Sequence, residues 1–140
     1  MMKDINSKLE MLDLHFSKIE CVWIKEQTDV GNVKLNARYA IDTNVADDNP
    51  YEVEKVLSVF ISDEKEHLSI EIKLNGRFKL ECKDGEMDET TAQHLLNINT
   101  ITIMMPYLRS EVSLVTAQPG LMPVMLPIVD VTKLIQEAKQ

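Results

Sequence analysis

The sequence predicts an α+β fold, a four-stranded antiparallel sheet with helices packed on one face. Three observations point to it. Apolar and polar residues alternate with a period of two through much of the first half, short charged turns separate the alternating runs, and helical spacing replaces alternation in the second half. A parallel pair needs a crossover of a dozen or more residues, so strands joined by short turns are antiparallel neighbours. Strands first and helices second belong to the α+β class and not to a doubly wound sheet.

The first ten residues, with Lys3, Asp4, Asn6, Ser7, Lys8 and Glu10, read as a short helix or a loose end. A first strand is expected from about Leu14 to Lys25. Leu14 and Phe16 share one parity while Ile19, Cys21 and Trp23 take the other, which predicts a bulge or bend near Lys18. The second strand is regular: Leu35, Ala37, Tyr39, Ile41, Thr43 and Val45 alternate with Lys34, Asn36, Arg38, Ala40, Asp42 and Asn44. Asp47-Asp48-Asn49-Pro50 supplies turn chemistry. Tyr51, Val53, Leu57, Val59 and Ile61 resume the pattern, but Lys55 falls on the apolar parity and Val56 and Phe60 on the other. Either cover on both faces or a bulge near Lys55 would explain that. After the turn Ser62 to Glu66, the clearest strand places Leu68, Ile70, Ile72, Leu74, Phe78, Leu80 and Cys82 on one face.

The apolar face of such a sheet needs a cover, and the second half provides it. Asp88 or Thr90 can cap a helix whose first turn carries Glu89. Leu95, Ile98, Thr102 and Met105 follow at helical spacing, as do Leu108, Val112 and Val115. Pro106 lacks the N–H that would bond residue 102 and crowds its carbonyl, so a kink or break is expected there. The β-branched Ile101, Thr102 and Ile103 weaken the helix locally. Gly120, after Pro119, ends it, and a short helix from Val131 to Lys139 closes the chain. No repeat, low-complexity tract or linker divides residues 1–140, so one domain is expected.

Composition narrows the function. A net charge of −8 and a pI near 4.8 oppose nucleic-acid binding and attraction to an anionic membrane surface. The amino terminus lacks the apolar run of a signal peptide, and no stretch approaches the ~18 apolar residues of a membrane span. A cytoplasmic protein without membrane insertion is expected. Cys21 and Cys82 lie in strand-like patterns without a CxxC neighbour and read as buried reduced thiols. His15, His67 and His94 carry no metal-ligand spacing, and the serine-nucleophile, phosphate-loop and calcium-loop motifs do not occur. No catalytic residue, metal ligand or cofactor site is expected, and no enzyme.

Met104, Met105, Met122 and Met125 stand out instead, beside Leu108, Leu114, Leu121, Val124, Leu126 and Ile128. Unbranched thioethers adapt to varied apolar partners, although periodicity alone places such residues in a core. The stretch from Leu121 to Ile128 is too Pro-rich for a helix yet mostly apolar, so it either lies in a groove or forms one.

The order of these motifs resembles the C-terminal half of the SecB-type protein-export chaperones. There a Phe-Pro-Tyr-Ala-Arg helix runs into Gly-x-Phe-Pro, an apolar Pro-rich stretch and Asn-Phe-x-x-Leu. Here Met105-Pro106-Tyr107-Leu108-Arg109, Gly120-Leu121-Met122-Pro123 and Asp130-Val131-Thr132-Lys133-Leu134 hold those places at similar spacing, and Tyr51-Glu52-Val53 resembles the start of the third strand. The resemblance implies a sheet with two helices on one face, protomers assembled as a dimer or dimer of dimers, and apolar grooves that hold unfolded polypeptides without ATP for export. Two features depart from it. The family's Pro-containing first crossover is replaced by the stretch from Cys21 to Asp29, which has no proline, and its flexible acidic tail, which docks on the translocation motor, has no counterpart before Gln140.

The expected groove residues are Trp23, Leu121, Met122, Val124, Met125 and Leu126. Leu95, Ile98, Ile101 and Leu108 cannot all face one sheet, so they are expected at a subunit interface. Two readings remain open: a holdase for unfolded chains, and a dedicated adaptor that kept the fold and one partner.

Overall fold

The computed structural model describes residues 8–24, 34–81 and 87–138. Four strands, β1 (Lys8–Trp23), β2 (Leu35–Ala46), β3 (Asn49–Asp63) and β4 (Leu68–Glu81), form one sheet in the order β1-β4-β3-β2, every pair antiparallel. Then come α1 (Glu89–His94), a π-helical turn (Leu95–Asn99), α2 (Thr100–Thr116) and α3 (Val131–Ala138). The α+β expectation of helices on one face of a four-stranded antiparallel sheet holds.

The two central strands set the core. Alternation along β4 buries Leu68, Ile70, Ile72, Leu74, Phe78 and Leu80, while Ser69, Arg77 and Glu81 stay exposed. Val53, Leu57, Val59 and Ile61 of β3 lie opposite Phe78, Leu74, Ile72 and Ile70 on the same face. α2 covers that face with Ile101, Met104, Met105, Leu108 and Val112, all buried. Cys82 and Lys25 lie outside the described residues.

β1 begins earlier than its pattern suggested, because Lys8, Leu9 and Glu10 pair with Glu81, Leu80 and Lys79. Its pairing with β4 shifts twice, between Met11 and Asp13 and between Phe16 and Lys18. The second shift is the bulge expected near Lys18. Together the two return Leu9, Met11, Leu14, Phe16, Ile19, Cys21 and Trp23 to the face shared by the apolar residues of β4. Lys55 causes no bulge. β3 keeps register with β4 from Glu52 to Ser62, and Lys55 is buried on the apolar face. Cover on the opposite parity is real but partial: Ser58 is buried, Val56 and Phe60 are half-buried, and Arg38 lies 5.6 Å from the Phe60 ring centre. Asn49 and Pro50 belong to β3, where the Asn49 side chain accepts from the Tyr51 N–H at 2.9 Å.

Asp88 caps α1 by accepting from the Thr91 N–H at 2.7 Å. Hydrogen bonds from Thr91, its side chain first and then its backbone, hold the Asp88 carboxyl below its ordinary range. α2 runs through Pro106 without a break. Thr102, whose carbonyl loses its helical partner, and Pro106 are both exposed, so water can satisfy that carbonyl. The departure from α geometry lies upstream instead, in the π-turn.

That turn moves the buried stripe. Ala92, Leu96, Thr100 and Ile101 are buried, Leu95 and Ile98 are half-buried, and Thr102 is exposed. An α-helix turns by about 100° per residue, so the extra residue of a π-turn rotates everything before it by about that angle. Ile101 and Leu108, expected at a subunit interface, are fully buried against the sheet of their own protomer and belong to its core.

Gly76 faces α2 from β4. A Cβ there would lie 2.8 Å from Phe78 Cε2 and 3.0 Å from Met104 Sδ. Both are ends of movable side chains, but each lies in a filled core, so Gly76→Ala is expected to cost about 1–3 kcal/mol. The urea-unfolding midpoint measures it, and an unchanged midpoint would show that the core yields there.

Candidate functional site

α2 ends where Pro119 and Gly120 form a turn. The Leu121 N–H bonds the Gln118 carbonyl at 3.0 Å, and Gly120 has φ 82°. Proline at the second place and glycine at positive φ in the third are what a type II turn requires. The chain then doubles back along α2 in extended form until Asp130, which caps α3 by accepting from the Lys133 N–H at 3.2 Å.

An extended segment outside the sheet must find other partners for its backbone. One flank of α2 provides them. Arg109 Nε donates to the Leu126 carbonyl at 3.2 Å, Ser113 Oγ donates to the Val124 carbonyl at 3.1 Å, and Thr116 Oγ1 accepts from the Val124 N–H at 2.7 Å. Thr116 is buried, and its hydroxyl donates back to the Val112 carbonyl at 2.8 Å. Ser113 and Thr116 were not singled out from the sequence, and Arg109 appeared there only as the end of the Met105-to-Arg109 motif. Their signal is polar side chains at 109, 113 and 116, one helical flank, ahead of an apolar stretch with no secondary structure of its own.

Between α2 and this segment runs a groove of about 550 Å³, lined by Pro106, Arg109, Ser110, Leu114, Met125 and Leu126 among others. Arg109 is its basic group. The guanidinium also acts on Tyr39 of β2, whose buried hydroxyl finds no hydrogen-bond partner among the described residues. Burial pushes the Tyr39 pKa up, and Arg109 opposes that shift.

The expected groove residues separate into three groups. Met122 and Met125 are 84% and 79% exposed, and Ile128, three residues further, is 85% exposed, so every third residue of the extended chain points away from the protein. Leu121 and Val124 are half-buried against the core, and Leu126 is 5% exposed and part of it. Trp23 stands elsewhere. It pairs with Leu68 at the end of β1, across the sheet from the β2 edge where α3 packs, and does not line this groove. The altered crossover after it, 25–29, lies outside the described residues. Leu114 and Tyr107, missed as site residues, are exposed on the outer face of α2.

Charged groups elsewhere form small surface pairs. His15 and Asp13 meet at 2.6 Å on β1, and Lys18 pairs with Glu71. Cys21 is a free, half-buried thiol whose pKa is raised by burial. Among the described residues no group of three or more His, Cys, Asp or Glu stands close enough to hold a metal, and no helix is long and apolar enough to cross a membrane.

Comparison with known proteins agrees with this architecture. The family described as preprotein translocase subunit SecB matches residues 9–140. A protein-export protein SecB from Anaplasma phagocytophilum (strain HZ) is 31% identical over 67 residues, a match that takes in 48% of this chain and 42% of the relative. The chain thus spans less than half the length of that curated relative. Among solved structures, a Mycobacterium tuberculosis SecB-like chaperone, solved in complex with a ChAD peptide from the HigA1 antitoxin, aligns with a TM-score of 0.67 at 14% identity, over 87% of this chain and 88% of that one. At that identity the likeness concerns the fold.

Thr116 tests how the segment is held. Thr116→Val keeps the shape but leaves the Val124 N–H without its acceptor, which costs about 1–3 kcal/mol where the group stays buried. Faster amide exchange at Val124, with β4 exchange unchanged, is the expected result. Equal acceleration throughout would mean that the segment and the core open together.

Proposed function

The chain belongs to the SecB family, and from that premise we propose that it is an ATP-independent chaperone that binds unfolded polypeptide along the α2 groove and the outward row of the segment after it. The observation that carries this reading is the row Met122, Met125 and Ile128, beside Leu114 on α2, apolar and exposed on a backbone that α2 holds in place. Thioethers adapt to many shapes, and a backbone already ordered loses little further entropy on binding. The peptide bound to the M. tuberculosis SecB-like chaperone supports a polypeptide ligand. The reading includes no catalysis, no cofactor and a place in protein export from the cytoplasm.

The weak affinity of one groove is also the reason for an oligomer. Burying apolar surface releases roughly 25 cal/mol per Å², which a single small contact spends on association. A long client that spans several grooves binds far more tightly. Ile103, Tyr107 and Leu114 on α2, with Met11 and Ile19 on β1, leave apolar surface exposed on the protomer, and a dimer or dimer of dimers would cover part of it. Light scattering is expected to return a multiple of 16.0 kDa; the protomer mass at micromolar concentration would refute assembly.

Client binding is tested by suppressing aggregation of unrelated unfolded proteins without ATP. Each of Met122→Asp and Met125→Asp removes about 1.5–3 kcal/mol of side-chain burial from the complex, so the pair is expected to raise the concentration needed by tenfold or more. Both side chains are exposed, so the fold should be unaffected. Leu126 is unsuitable for this purpose, because a charge there would enter the core. If the wild type fails on several clients and retains one cellular partner, the adaptor reading replaces the holdase.

A further inference from the structure

Lys55 places an ammonium on the buried face of the sheet, 3% exposed between Val53 and Leu57. Its Nζ donates to Thr43 Oγ1 of β2 at 2.7 Å and to Asn97 Oδ1 of the π-turn at 3.2 Å. A charge removed from water is tolerated only where polar atoms face it. On its other side Lys55 has Gly76 of β4, where Met104 and Phe78 fill the place of a side chain. The ammonium therefore reaches away from the apolar centre, toward β2 and the flank of the helix above it.

The π-turn determines what meets it there. In an uninterrupted α-helix traced back from Met104 at about 100° per residue, Asn97 would fall about 20° from Met104, in the middle of the buried stripe, and Leu96 about 80° to the other side. An amide would then point into the apolar centre while Leu96 and Ala92 turned out of it. The extra residue of the π-turn rotates the upstream helix by about 100°. Leu96 and Ala92 come into line with Met104 and are buried, and Asn97 swings to the flank where the Lys55 ammonium lies.

We propose that the Lys55–Asn97 contact holds the π-turn, and with it the rotational setting of α1 and Leu96 against the sheet relative to α2. Neither residue lines the groove; they act as a positioning pair. This role does not depend on what the groove binds.

The test is a crystal structure, or hydrogen-bond scalar couplings, of Lys55→Met/Asn97→Leu. This variant removes the buried charge and offers a side chain that an α-helical register could bury. The five-residue hydrogen bonds of Leu95–Asn99 are expected to give way to four-residue ones, with faster exchange at Leu96 as it loses burial. Asn97→Gln, which keeps an amide oxygen, should retain the π-turn. Persistence of the π-turn in the double variant overturns the proposal and assigns the turn to the burial of Ala92 and Leu96 alone. If the double variant does not fold, Asn97→Ala at this half-exposed position decides by the same readout: loss of the π-turn supports the pair, and retention overturns it.

Discussion

Everything else in this molecule depends on one helix lying down on the apolar faces of β3 and β4. Those strands are central, so each needs a partner on both edges and a cover on one face. β1 and β2 supply the edges, and α2 supplies the cover with Ile101, Met104, Leu108 and Val112. At Gly76 the helix comes close enough that a side chain on β4 would meet Met104. Interiors pack as densely as organic crystals, so a gap or an excess at that point would be felt along the helix. The outer strands receive less cover, and Met11 and Ile19 on the inward face of β1 remain exposed beyond the helix.

Once α2 is placed, the segment after it follows from backbone accounting. Pro123 and Pro127 carry no N–H, which removes two donors that the extended chain would otherwise have to satisfy. Thr116 takes the Val124 N–H, and Ser113 and Arg109 take the Val124 and Leu126 carbonyls. The side chains then divide by direction. Leu121, Val124 and Leu126 turn toward the core, while Met122, Met125 and Ile128 have nowhere to turn but outward. Exposure of these three is thus a consequence of how the backbone is held.

The sheet was legible because its signal is local. Alternation on β4 can be read from neighbouring residues, and it specified both the strand and its buried face. The bulge near Lys18 was legible for the same reason, since apolar parity changes across it. The first bulge, at Leu12, was not, because Met11, Leu12 and Leu14 are all apolar and hide the change of parity. Lys55 looked like an error in the pattern and was instead a buried charge with partners from two other elements, which no local reading could supply. The same limit affected the helix. A stripe through Leu95, Ile98 and Thr102 is correct for an unbroken 3.6-residue repeat, and the π-turn brought Ala92 and Leu96 upstream into line with the buried residues of α2 instead. Ile101 and Leu108 lie after the turn, on the same stripe as Met104 and Val112, and are core residues for that reason. Of the site, the apolar segment was legible from its prolines, whereas the separation of Trp23 from it was a matter of strand order.

The exposed apolar residues fall into two chemical kinds, and the division bears on what each surface suits. Ile103 and Tyr107 on α2 are stiff side chains on a rigid helix. They lose little entropy when covered, which favours a partner surface that is the same every time, as another copy of the chain is. Met122 and Met125 have flexible side chains that lose more entropy in any single arrangement but can reach a good contact with many shapes. That loss is acceptable where the partner varies from one encounter to the next. Leu114 lies on both surfaces, on the outer face of α2 and at the edge of the groove. A subunit packed on Ile103 and Tyr107 would therefore border the groove, and the assembly and the client surface would meet at one residue of the helix that the whole fold is built around.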